Sequence, residues 1–87
     1  MATATLADFP VTGTFQDVVA TLTDAASVDA VYQNVGPYPV QVVFGASTTG
    51  KTGVILAPFD SVQGNAANVW ARTYESNTPS TLSVSTL

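Results

Sequence analysis

A chain of 87 residues with net charge −4 carries two basic and six acidic side chains, no histidine and no cysteine, against 46% hydrophobic residues. Disulfides and the usual zinc ligands are therefore excluded. Two cations, Lys51 and Arg72, are too few for the clustered phosphate contacts of nucleic-acid binding. The length suits one domain, and a domain this small buries less than about 70% of the surface its unfolded chain exposes. With no disulfide or metal to help, oligomerisation is the remaining support. Charged residues make up 9% of the chain, against about 25% in an ordinary domain. Such a surface of Thr, Ser, Asn, Gln and apolar groups is more like the core of an interface than a monomer's exterior.

Residues 1–14 are rich in Ala and Thr, with Leu6, Phe9 and Val11 as scattered apolar anchors and a proline at Pro10. They hold neither a period of 2 nor one of 3.6. Two readings stand: a frayed terminus, or an extended arm anchored on a neighbouring subunit by Leu6 and Phe9. The N-terminus has neither the basic nor the apolar region of a secretory signal. No apolar run approaches the ~20 residues of a membrane span. A soluble protein made in a cytoplasm is expected, with residues 15–87 as the domain.

In residues 15–22, Phe15, Val18, Val19 and Leu22 have helical spacing, whereas the β-branched pair Val18-Val19 favours a strand. The segment is read as a short strand or turn. Residues 28–33 alternate Val28, Ala30 and Tyr32 with Asp29, Val31 and Gln33, a strand, and Asn34-Val35-Gly36-Pro37 has turn chemistry. Residues 39–44 alternate again, with Pro39 in the first position, where its missing N–H matters least. A small and polar loop over 45–53 precedes a short strand at 54–57, and Pro58-Phe59-Asp60-Ser61 reads as a turn. Residues 67–74 form a strand carrying Trp70, residues 75–79 a polar loop, and Ser80–Thr86 alternates strictly with Leu82 and Val84 inward. Several short strands and no strong helix predict an all-β fold, a small antiparallel β-sandwich or jelly-roll-like barrel with an extended N-terminal arm.

Gly45-Ala46-Ser47-Thr48-Thr49-Gly50-Lys51-Thr52 matches the phosphate-loop pattern G-x-x-x-x-G-K-[ST]. That chemistry needs a helix opening at the lysine, because its N-terminal N–H groups hold the phosphates. Here Gly53, three strand-type residues and Pro58 follow. No Mg²⁺-binding strand comes later, since Asp60 lies in a turn, so no nucleotide is expected. Asp17, Asp24, Asp29 and Asp60 lack the D-x-D-x-D spacing of a calcium loop, and Glu75 is distant. The six carboxylates offer pairs for glycoside hydrolysis, but so short a chain has little room for a cleft. No cofactor or metal is expected. Tyr38 and Trp70 form a sugar-stacking platform if exposed, although a strand tryptophan more often belongs to a core or interface. Arg72 shares a strand face with Trp70, within reach of Glu75 or a partner's carboxylate.

The run Tyr32-Gln33-Asn34-Val35-Gly36-Pro37, then Val40-Gln41-Val42-Val43-Phe44-Gly45, Gly53-Val54-Ile55-Leu56-Ala57-Pro58, Val69-Trp70-Ala71-Arg72 and Leu82-Ser83-Val84-Ser85 resembles small β-sandwich virion proteins of tailed bacteriophages. The resemblance covers about residues 28–86 and consists of a strand pattern with a few turn residues. It implies a capsid decoration, or cement, protein without enzymatic activity, present in many copies. It would bind its own copies, expected as a homotrimer, and a capsid or other virion protein after assembly in the host bacterial cytoplasm. The alternative is a tail or fibre component touching host glycans. Leu6, Phe9, Tyr38, Trp70 and Arg72 are the expected interface residues. Nucleic acid, membrane and nucleotide are not expected partners.

Overall fold

The computed structural model describes residues 4–74 and 78–87. The strands are β1 (Ala4–Thr5), β2 (Phe9–Val11), β3 (Gln16–Asp17), β4 (Ala30–Asn34), β5 (Val40–Phe44), β6 (Val54–Leu56), β7 (Ser61–Gly64), β8 (Val69–Thr73) and β9 (Ser80–Thr86). One helical turn, α1 (Val18–Thr21), and a 3-10 turn (Thr23–Ala25) lie between β3 and β4. The first sheet runs β1-β9-β4-β7, with β2 also on β9, and the second runs β3-β8-β5-β6. All pairs are antiparallel. The fold is the expected small all-β sandwich.

Alternation explains which face each strand buries. Ala30, Tyr32 and Asn34 of β4, and Leu82 and Val84 of β9, turn inward from the first sheet. Val40 and Val42 of β5, with Val69 and Ala71 of β8, meet them from the second. β9 is the longest strand and has neighbours on both sides, so its strict period of 2 was the clearest signal in the sequence. β5 differs, because Val40 through Val43 are all buried. Its outer side is covered as well as its inner one.

The expected boundary after residue 14 is corrected by the backbone pairing. Ala4 lies opposite Thr86, the Leu6 N–H donates to the Val84 carbonyl at 2.8 Å, and Phe9 lies opposite Leu82. The described part of the supposed arm is thus two edge strands of its own sheet. Phe9 and Val11 face the core, where they are 6% and 0% exposed, and Pro10 points outward between them. An edge strand tolerates that proline because one side of it needs no ladder hydrogen bond. No period was visible because two strands of two and three residues are too short to show one.

Other differences are local. The segment over 15–22 is neither wholly strand nor wholly helix: β3 passes directly into α1. Asp17 makes that switch, its side chain accepting from the Val19 N–H at 3.2 Å as a helix N-cap. β7 falls where the sequence offered only Ser61-Val62-Gln63-Gly64, which has too little apolar content to be read as a strand. The loop expected at 75–79 lies partly outside the described residues.

Candidate interaction surface

Asn34 closes β4 and organises the end of the sandwich from which β5, β7 and β9 start. Its carboxamide nitrogen donates to the carbonyls of Tyr38 at 2.6 Å and Leu56 at 2.9 Å. Its carboxamide oxygen accepts from the Gly36 N–H at 3.1 Å and the Ser80 hydroxyl at 2.9 Å. Both donors and both acceptor positions are therefore used, which makes complete burial affordable for a polar group. Its backbone adds bonds from the Phe59 N–H and to the Asp60 carbonyl. One side chain thus joins the β4–β5 turn, the end of β6 and the start of β9.

This changes the reading of the turn. Asn34 and Gly36 are residue types that tolerate positive φ, yet neither adopts it. Gly36 is needed for space: a Cβ there would lie 2.1 Å from Ser80 Oγ and 2.6 Å from the Thr81 nitrogen.

The positive φ of this end belongs to Phe59, at 71°, where a bulky side chain is an outlier. Its backbone is held on both sides, by the N–H bond to Asn34 and by Gln33 Nε2 donating to its carbonyl at 3.0 Å. Asp60 accepts from the Ala57 N–H through its carboxylate at 3.2 Å and through the backbone turn closes back on Ala57. Phe59 is 72% exposed. Val35 and Tyr38 are exposed in the neighbouring turn, so a small apolar tip stands out at this end.

A second surface is the outer face of the β3-β8-β5-β6 sheet. Register places Arg72 opposite Gln41 and Trp70 opposite Val43, and directly opposed residues share a face. The Arg72 guanidinium carbon sits 4.4 Å from the centre of the Phe15 ring, and its Nε donates to Gln41 Oε1 at 2.8 Å. Gln41 Nε2 in turn donates to the Thr52 carbonyl at 2.7 Å. Trp70 Nε1 donates to the Gly45 carbonyl at 2.9 Å. Arg72 and Trp70 are thereby laid flat and half-buried, and the 45–53 loop is pinned across β5, which accounts for the burial of Gln41 and Val43. Glu75, the carboxylate expected near Arg72, lies outside the described residues.

The phosphate-loop pattern occupies this pinned loop. Lys51 is exposed, and the chain passes through Gly53, at φ 69°, into β6. No helix opens at the lysine. Gly53 approaches β5 so closely that a Cβ would lie 2.1 Å from the Val42 carbonyl oxygen. Three of the aspartates hold structure locally. Asp17 accepts from Asn68 Nδ2 at 2.7 Å besides capping α1, Asp29 accepts from Asn65 Nδ2 at 3.1 Å, and Asp60 closes its own turn. Among the described residues, no group of three His, Cys, Asp or Glu side chains could hold a metal ion.

Within the core, Tyr32 is wholly buried and meets Phe44 edge-to-face at 5.8 Å. Among the described residues its hydroxyl finds no hydrogen-bond partner. Burial, reinforced by the negative charge of Asp17, pushes the phenol above its ordinary 10.0.

On the edge formed by β1 and β2, an open hollow of about 180 Å³ is lined by Leu6, Ala7, Thr21, Leu22, Thr23 and Asp24. Leu6 and Leu22 form its floor, packed against the core. The polar residues lie exposed at its rim.

Of the expected interface residues, Tyr38, Trp70 and Arg72 keep accessible surface, and Leu6 is half-buried. Phe9 is spent on the chain's own core. Tyr38 and Trp70 do not make one platform, since Trp70 lies opposite Val43, towards the end of β5 away from the turn that holds Tyr38. Phe59 and Asn34 were seen in the sequence only as turn residues. A phenylalanine between Pro58 and Asp60 was the available signal, because turn chemistry gives no reason for an aromatic there.

In comparisons with known proteins, the chain matches no family model, no curated protein and no solved structure.

Proposed function

We propose that this chain is a structural module without catalytic activity, working in many copies against other protein surfaces. The observation that carries the reading is the exposed apolar tip of Val35, Tyr38 and Phe59 on a sandwich with only eight charged residues in its sequence. A large aromatic group held out in solvent by a fully bonded turn favours contact with a protein partner, and aromatic residues are enriched in such contacts. Low charge suits a surface that is covered in use.

Among structural modules, the resemblance to phage virion proteins favours capsid decoration, with the chain clustering in a small oligomer on the shell. A tail or fibre position uses the same sandwich. Quantitative mass spectrometry of phage particles from the host that makes this chain tests the role. A copy number comparable with that of the major shell protein supports decoration. A number comparable with tail proteins moves the chain to the tail or fibre. Absence from the particles overturns the virion reading.

A further inference from the structure

The two sides of the sandwich are guarded differently. A strand at the edge of a sheet turns main-chain N–H and C=O groups away from its one neighbour, and folds commonly shield them with charge, proline or interruption. At the β1–β2 edge Asp8 and Pro10 are exposed and the strand is broken in two, while β3 is two residues long and runs into α1. On the opposite side β6 closes the second sheet as Val54-Ile55-Leu56, in unbroken register with β5 and without charge or proline. Val54 and Ile55 are exposed, as is Phe59 in the turn that follows. β7, the other edge strand on this side, exposes Ser61 and Gln63 instead.

We infer that two copies of this chain meet at this edge, β6 of one pairing antiparallel with β6 of the other about a two-fold axis at Ile55. Main-chain groups in series are met only by another extended strand, the chemistry of sheet augmentation. The residues around β6 suit its own copy as that strand. The axis sets Ile55 against Ile55, Val54 against Leu56 and Gly53 against Ala57, so every opposed pair is apolar or small.

Charge fixes the direction. Lys51 precedes β6 and Asp60 follows it, and both are exposed. Antiparallel pairing carries Lys51 of each copy to the end where the other has Phe59 and Asp60, an aromatic face and a carboxylate for one ammonium. Parallel pairing would bring each charge to its own kind, which is unfavourable. Ion pairs this exposed contribute little strength, so they select the orientation while the apolar pairs and the main-chain bonds hold the contact. The same patch serves both copies, so the association closes as a dimer, and two four-stranded sheets become one continuous sheet. The inference rests on the proposed role as a module working in copies, and it names the edge by which two copies meet.

Sedimentation velocity over a concentration series and cysteine cross-linking test it together. Ile55→Lys opposes two like charges at the axis, from an exposed position. Ile55→Cys opposes two thiols in a chain that has no other cysteine. Directly opposed Cα atoms lie about 4.5–5.5 Å apart, within the range a disulfide spans. Ala20→Cys, exposed on α1, is the control, and circular dichroism melts establish that all three variants are folded. The wild-type chain is expected to form dimers as concentration rises, and Ile55→Lys to lose them. Under mild oxidation Ile55→Cys should become a covalent dimer far faster than Ala20→Cys. A wild-type chain that stays monomeric up to the solubility limit overturns both the inference and the reading of self-assembly. An Ile55→Lys chain that associates as the wild type does, or an Ile55→Cys chain that cross-links no faster than the control, overturns the β6 contact alone.

Discussion

The Ser80 hydroxyl donates to the Asn34 carboxamide oxygen at 2.9 Å, and both residues are buried. The bond joins the last residue of β4 to the first of β9, where Asn34 lies opposite Leu82 in the ladder. Removing the Asn34 side chain leaves the Tyr38 and Leu56 carbonyls, the Gly36 N–H and the Ser80 hydroxyl without this partner. Asn34→Ala is expected to cost about 3 kcal/mol or more, because unpaired buried groups each lose about 1–3 kcal/mol. Ser80→Ala is expected to cost less, and the double-mutant cycle to show coupling of about 0.5–3 kcal/mol. Urea unfolding of the four chains measures this. Additive losses would mean that the bond carries no coupling.

Tyr32 gives the fold a weakness at high pH. Its folded pKa is raised above the ordinary 10.0, so the unfolded chain releases this proton first as pH rises. Stability from the buried neutral phenol is therefore fully present below pH 10 and is lost as pH rises from there through the folded pKa. Tyr32→Phe keeps the ring contact with Phe44 and drops an unpaired hydroxyl, so it is expected to be at least as stable as the parent at neutral pH. Its advantage should widen above pH 10. Parallel urea titrations on either side of pH 10 check this, and an advantage that does not change with pH would contradict it.

The N-terminal strands belong to the folding unit. Phe9→Ala is expected to cost about 3–5 kcal/mol, much of the stability of a small domain. Leu6→Ala should cost less, since Leu6 is only half-buried. A chain restricted to residues 15–87 loses Phe9 and Val11 from the core and bares one side of β9. Its urea transition should fall sharply or disappear, and a truncated chain that unfolds at the parent midpoint would contradict this placement.

The glycines of the phosphate-loop pattern separate geometry from chemistry. Gly50 has open space around its missing Cβ, whereas Gly53 lies against the Val42 carbonyl. Both have positive φ, so each alanine substitution carries strain. Gly53→Ala should be the more damaging by about 1–3 kcal/mol, since its methyl group also displaces backbone. Lys51→Ala should leave the thermal midpoint essentially unchanged. Saturable, Mg²⁺-dependent ATP binding abolished by Lys51→Ala would overturn the structural reading of the loop.

Where the sequence was legible, the strands were long enough to show a period and one side was buried. Ser80–Thr86 met both conditions, and β4 and β5 were located within two residues. β1, β2 and β7 were not seen because they are short and owe their existence to a neighbouring strand rather than to their own pattern. The candidate surface was less legible for a related reason. Trp70 and Arg72 could be placed on one face from their spacing alone. The partners of Arg72 are distant in sequence, Gln41 on β5 and Phe15 just before β3, so only the folded sheet reveals them. Asn34 and Phe59 sit in stretches whose turn composition is ordinary; the role of Asn34 depends on groups from β6 and β9, and that of Phe59 on groups from β4.

Association through apolar contact is the central claim, and its response to salt tests it most directly. Sedimentation equilibrium of the full chain at low and high salt measures the association constant under both conditions. Screening weakens ion pairs between exposed charges, whereas apolar burial is unaffected or strengthened by salts excluded from the protein surface. The expected result is association at low salt that persists or tightens at high salt. A chain that stays monomeric in both, or a complex that dissociates as salt is raised, would contradict the account.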